Sequence, residues 1–152
     1  MARIQNPTLQ LPSERLGQIK RIAEALGGLS ISDTIGHLVR QEIERGTIEK
    51  TLPGIEIKHS APAVVIAFDG GAPLRLTPEG AECLAKTIIE FTLGYEAKTT
   101  IDMTHKFAVA RKGSGIKVTV PAFGGVTKTF SRDVATDLAK LIEAEAKLAS
   151  ER

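Results

Sequence analysis

A single cysteine, Cys83, stands in 152 residues. An internal disulfide is thereby excluded, and so is a Cys-x-x-Cys pair for zinc or redox chemistry. No apolar run approaches the roughly 20 residues that span a bilayer. The opening Met1-Ala2-Arg3-Ile4-Gln5-Asn6 has no apolar stretch of signal-peptide type. These absences point to a soluble cytoplasmic protein without a membrane partner. An excess of charge is missing too: 20 basic residues against 18 acidic ones leave +2, which neither demands nor excludes a nucleic-acid partner. There is no Gly-x-Gly-x-x-Gly, no phosphate-loop Lys-Ser/Thr and no Ser/His/Asp set at recognisable positions. No enzyme, cofactor or metal site is indicated.

What is present is a chain with 42% hydrophobic and 25% charged residues, a composition that folds. Residues 6 to 12, Asn6-Pro7-Thr8-Leu9-Gln10-Leu11-Pro12, alternate polar and apolar side chains with the period of a half-buried strand. A helix is expected after Pro12, with Leu16, Ile19, Ile22, Ala23 and Leu26 on one face and Gly27-Gly28 as its stop. Ser30 then precedes Asp33 in a helix-cap pattern, and Ile31, Ile35, Leu38, Val39 and Ile43 form the apolar face of a second helix closed by Arg45-Gly46. A lone ribbon has nothing to pair with inside fifty residues, and two short helices cannot bury both stripes. The pattern therefore predicts a homodimer in which two copies pair their ribbons and interlock their helices.

This order of elements, with Leu9-Gln10-Leu11-Pro12, the Gly27-Gly28 turn and Ser30-x-Ser32-Asp33, resembles the ribbon-helix-helix family that includes the Arc and methionine repressors. The likeness covers residues 4 to 46, about a third of the chain. It implies double-stranded DNA as partner, with the paired ribbon in the major groove. The matching outward positions are Asn6, Thr8 and Gln10. Asn and Gln suit bidentate contact with adenine, and Thr suits a hydrogen bond or a thymine methyl. The likeness also places Ser30, Ile31 and Ser32 on DNA phosphate, where first-turn N–H groups and the helix dipole favour an anion, with Arg3 as a further phosphate contact. A helical hairpin used for dimerisation alone would explain the stripes equally well. It would not explain why the outward ribbon positions are all hydrogen-bonding residues.

After a short linker from Gly46 to Gly54, residues 64 to 90 line up without gaps on residues 118 to 144 at an offset of 54. Each copy offers an apolar strand, a Gly-Gly turn, a short strand, a cap at Thr77 or Ser131, and Leu-Ala-Lys inside a helix. With further strands near 55 to 60 and 106 to 112, the region from 54 to 152 is expected to be an α+β domain of two β-β-β-α-like repeats, 54–94 and 98–150. The whole chain thus reads as α+β, with a 1–47 unit in front.

The second copy is basic. Lys98, Lys106, Arg111, Lys112, Lys117, Lys128 and Arg132 stand against Asp102 as the one acid between 98 and 132. Strand alternation suggests that several of them share a sheet face, so Lys106, Lys112, Lys117 and Lys128 are candidates for a second DNA-contacting surface. Lysines that protect strand edges from aggregation are the simpler explanation. His59, His105 and Cys83 invite comparison with nickel-responsive regulators, but they show no local ligand pair, and Cys83 beside Leu84 reads as a small buried hydrophobe. The expected function is sequence-specific DNA binding by a dimeric, nucleoid-associated transcriptional repressor. A plasmid-partition or relaxosome accessory protein, or a structural protein whose C-terminal repeats build a higher oligomer, remain the alternatives.

Overall fold

The computed structural model describes residues 7–94 and 98–151. It is an α+β structure with four helices and two antiparallel sheets. The chain separates into two units, Met1–Ile48 and Glu49–Arg152.

The first unit is a helix pair. α1 (Ser13–Ala25) begins directly after Pro12, which needs no N–H at that point. It ends where Gly27 and Gly28 adopt φ of 98° and 87°, with the Gly28 N–H donating to the Ala23 carbonyl at 2.9 Å. Only glycine enters that left-handed region freely, so the turn is built into the sequence. α2 (Ile31–Glu44) starts at Ser30, whose hydroxyl accepts from the Asp33 N–H at 3.0 Å. The strand expected over residues 6 to 12 is absent among the described residues, since 7 to 12 form no regular structure. A strand exists only through its ladder, and a single chain offers this segment no partner. The part of the expected ribbon-helix-helix order visible in one chain is therefore helix-helix.

The second unit holds the core. β1 (Ile55–Ser60), β2 (Ala63–Phe68) and β3 (Leu74–Leu76) form one sheet in that order, followed by α3 (Pro78–Thr92). β4 (Thr99–Asp102), β5 (Phe107–Lys112), β6 (Gly115–Val120) and β7 (Val126–Phe130) form the other, followed by α4 (Arg132–Ser150). Thr77 and Ser131 cap the helices by accepting from the N–H groups of Gly80 and Val134. The apolar periodicities converge on one cluster: Val64, Ile66 and Phe68 from β2, Val109 and Val118 from β5 and β6, Leu84 and Ile88 from α3, Leu138 and Ile142 from α4. The helices pack on each other. α4 also lies against β1 and β2 of the first sheet, while α3 reaches β5 of the second. Each repeat thus covers part of its sister, and neither buries its strands alone.

Strand pairing refines the repeat. Val64 pairs with Leu76 and Ile116 with Phe130, and Leu76 and Phe130 each directly precede a helix cap. The short strands and helices match at an offset of 54 (Leu76 to Phe130), but the strands before them match at 52 (Val64 to Ile116). The ungapped alignment is two residues out there. Side chains alternate with period two, so the slip leaves every residue on its expected face. Among the described residues β4 has no counterpart in the first repeat.

Candidate functional site

In the first unit the helices place the sequence-derived positions as follows. Ser30, Ile31 and Ser32 form the start of α2. Ser30 satisfies the Asp33 N–H, and the N–H groups of Ile31 and Ser32 have no intrahelical acceptor, as at any helix start. They are available to an anion, although the Asp33 carboxylate shares that turn and partly offsets the dipole. Thr8 and Gln10 are exposed, and Leu9 between them is 82% exposed. Arg3 and Asn6 lie outside the described residues.

The apolar stripes decide what this unit needs. Among the described residues Ala23 is its one buried hydrophobic side chain and Thr34 its one buried polar one. Thr34 donates to the Ser30 carbonyl at 2.7 Å and so closes the α2 start. Ile22, Leu26, Leu29, Ile35 and Val39 remain 36–44% exposed, and Leu16, Ile19, Ile31, Leu38 and Ile43 are half-buried. The side chains meant to form a core have found only half of one.

The basic residues of the second sheet divide. Lys117 pairs with Ala110 and Thr129, and Lys112 with Gly115, so these two lysines share the face opposite the buried Val109 and Val118. Lys128 does not join them. It stands across from Val118, on the inner face, and its ammonium donates to Asp69 Oδ1 at 2.8 Å. That bridge ties β7 to the turn after β2. Lys106 lies in the turn before β5 with φ of 62°. The common face inferred for all four lysines therefore narrows to Lys112 and Lys117. Strand alternation does not carry through the turns that separate these lysines, because its phase is lost there.

The structure also brings together three residues that looked unrelated in sequence. Cys83 on α3, Asp102 at the end of β4 and His105 in the β4–β5 turn place one potential ligand atom each within 4.8 Å of one another. Cys83 Sγ lies 3.6 Å and His105 Nδ1 3.1 Å from the same oxygen, Asp102 Oδ2. Asp102 Oδ1 accepts from the His105 N–H at 2.7 Å. That backbone hydrogen bond, reinforced by the imidazole and the thiol, holds the Asp102 carboxyl below the usual range. Burial, followed by the hydrogen bond to Asp102 and its charge, pushes the Cys83 thiol up. The carboxylate stands between thiol and imidazole. In a nucleophilic triad the imidazole occupies that place, so this order does not activate a thiolate. The other histidines are engaged elsewhere: His37 with Gln41 one turn along α2, and His59 with Glu145 of α4.

Comparison with protein-family models, curated proteins and solved structures finds no match to this chain.

Proposed function

We propose that the chain is a homodimeric, sequence-specific double-stranded DNA-binding protein that acts as a transcriptional repressor. One observation carries this reading: a helix pair with an N-terminal polar-apolar segment that leaves its own core half open. A second copy supplies what is missing. It completes the core by covering Ile22, Leu26, Leu29, Ile35 and Val39, each worth roughly 1 kcal/mol for the half still to be buried. It also gives residues 6 to 12 an antiparallel partner. Pairing turns Leu9 and Leu11 onto the joint core and Asn6, Thr8 and Gln10 outward, toward the base edges of a major groove. Ser30, Ile31 and Ser32, with Arg3, then meet the phosphates that flank it. Lys112 and Lys117, on one sheet face, supply a sequence-independent contact with DNA backbone in the same complex.

Binding of the full-length protein to a pool of duplex sequences at two salt concentrations tests the proposal. Wild type should select a subset of sequences and retain the preference at the higher salt. A variant with Asn6, Thr8 and Gln10 all changed to alanine should keep only salt-sensitive, unselective binding, losing about 1–3 kcal/mol of discrimination for each contact removed. Equal selectivity in wild type and variant, or no affinity of wild type for any duplex, would refute the reading.

A further inference from the structure

We propose that Cys83, Asp102 and His105 form a binding site for one thiophilic divalent cation of the zinc type, with three protein ligands and a fourth position open to solvent. The proposal is independent of the DNA-binding reading.

Donor spacing is the first support. A tetrahedral centre with metal–sulfur bonds of about 2.3 Å and metal–nitrogen or metal–oxygen bonds of about 2.0–2.1 Å has ligand–ligand edges of roughly 3.3–3.6 Å. Two edges of the cluster, 3.6 Å from Cys83 Sγ to Asp102 Oδ2 and 3.1 Å from His105 Nδ1 to Asp102 Oδ2, lie near that range without rearrangement. In the metal-free cluster the thiol donates to Oδ2, and the imidazole Nδ1 lies within hydrogen-bond reach of the same oxygen. One cation would replace both contacts.

The second support is how the imidazole is held. Gly80 precedes Cys83 by three residues on α3, so the two share a helix face. A Cβ on residue 80 would stand 2.6 Å from His105 Cδ2 and 3.1 Å from Cγ. The ring thus lies against bare helix backbone, a seat that alanine would occupy. The Phe107 ring lies nearly parallel to it, with ring centroids 6.5 Å apart and planes 11° apart. Lys106, the next residue after His105, is held at φ of 62° by its N–H donating to the Asp102 carbonyl and its carbonyl accepting from Ala122. A lysine in that region is uncommon and strained. Three elements are thereby directed onto one point.

The chemistry follows from the donors. A thiolate, an imidazole and one carboxylate suit Zn²⁺ or Co²⁺ and disfavour Mg²⁺ or Ca²⁺, which take all-oxygen shells. On binding, the Cys83 thiol loses its proton to solvent. A proton on His105 Nδ1 moves to Nε2, freeing the Nδ1 lone pair without net release. The thiol accounts for one proton released per ion bound. The Asp102 and His105 side chains are 20% and 26% exposed, so water reaches the remaining position. A bound ion would fasten β4 and its turn onto α3.

Cobalt titration of the metal-stripped, reduced, full-length protein provides the test. One Co²⁺ per chain should bind with thiolate-to-cobalt charge-transfer absorption and visible bands of tetrahedral strength, and Zn²⁺ should abolish both. Cys83→Ser should lose the charge-transfer band while keeping its circular dichroism. His105→Ala and Gly80→Ala should each weaken binding by at least about tenfold, the second without removing any ligand. His37→Ala should change nothing. Absence of the charge-transfer band at saturating Co²⁺, retention of it in Cys83→Ser, or equal affinity in wild type, His105→Ala and Gly80→Ala would overturn the proposal.

Discussion

The two units of this chain differ in how far each buries its own apolar side chains. In the C-terminal unit, Val64, Ile66, Leu84, Ile88, Val118, Leu138 and Ile142 have at most traces of exposure, because each repeat's helix has a sister repeat to cover. In the N-terminal unit, side chains of the same kind at the same helical spacing stay a third to nearly a half exposed. The sequences are equally well patterned. What differs is that the C-terminal helices have a complementary repeat in the same chain and the N-terminal helices have none among the described residues. The second repeat supplies that cover for the C-terminal region; for the N-terminal region the proposed homodimer would.

The sharpest way to break this comparison is to charge the open helix face. Ile35→Asp combined with Val39→Asp should abolish dimerisation and DNA binding altogether, while the thermal transition of the C-terminal unit stays within about 1 °C of wild type, since the substitutions lie in a separate compact unit and sites without shared partners act independently. Sedimentation and calorimetry would read the two effects separately. The reciprocal substitution, Leu138→Ala, should cost about 2–5 kcal/mol in the C-terminal transition at any protein concentration. Denaturant unfolding would measure it, and dimerisation should survive under native conditions.

How far the sequence carried differs along the same line. Ser30, Thr77 and Ser131 could be recognised as caps because the signal lies within four residues, and each hydroxyl accepts the N–H three residues on. The apolar stripes were legible for the same reason. The ribbon is another matter, because a strand is a property of a pair and residues 7 to 12 have no partner in one chain. β4 escaped notice: Thr99-Thr100-Ile101-Asp102 is a four-residue edge strand without a clean alternation. Missing it hid the Cys83, Asp102 and His105 cluster, which exists only because β4 pairs with β5 and ends beside α3. A glycine at position 80 in an otherwise helical run was the one local hint. Lys128 falls on the face opposite Lys112 and Lys117, which only the register across from Val118 reveals.

Smaller effects sharpen the account. Asp102 has a lowered pKa in the folded protein, so its contribution is present above the ordinary aspartate range and is lost as pH falls through the lowered value. Asp102→Asn should therefore be less stable than wild type near neutral pH by about 1 kcal/mol, the difference between a charged and a neutral acceptor. The gap should close on acidification, and parallel urea titrations would follow it. Smaller still, Lys112→Glu with Lys117→Glu should leave sequence preference intact and flatten the dependence of log affinity on log salt by roughly two to four units, about 0.9 for each of the lysines that the two copies place on phosphate. An unchanged slope in a binding titration would remove this sheet face from the DNA contact.

The most direct test of the central claim, that the N-terminal helix pair is half of a two-chain core, is thermal unfolding of the full-length protein over a hundredfold range of concentration. Two transitions are expected, one rising with concentration as the dimer is favoured by mass action and one fixed. A monomer in sedimentation equilibrium, with both transitions independent of concentration, would contradict it.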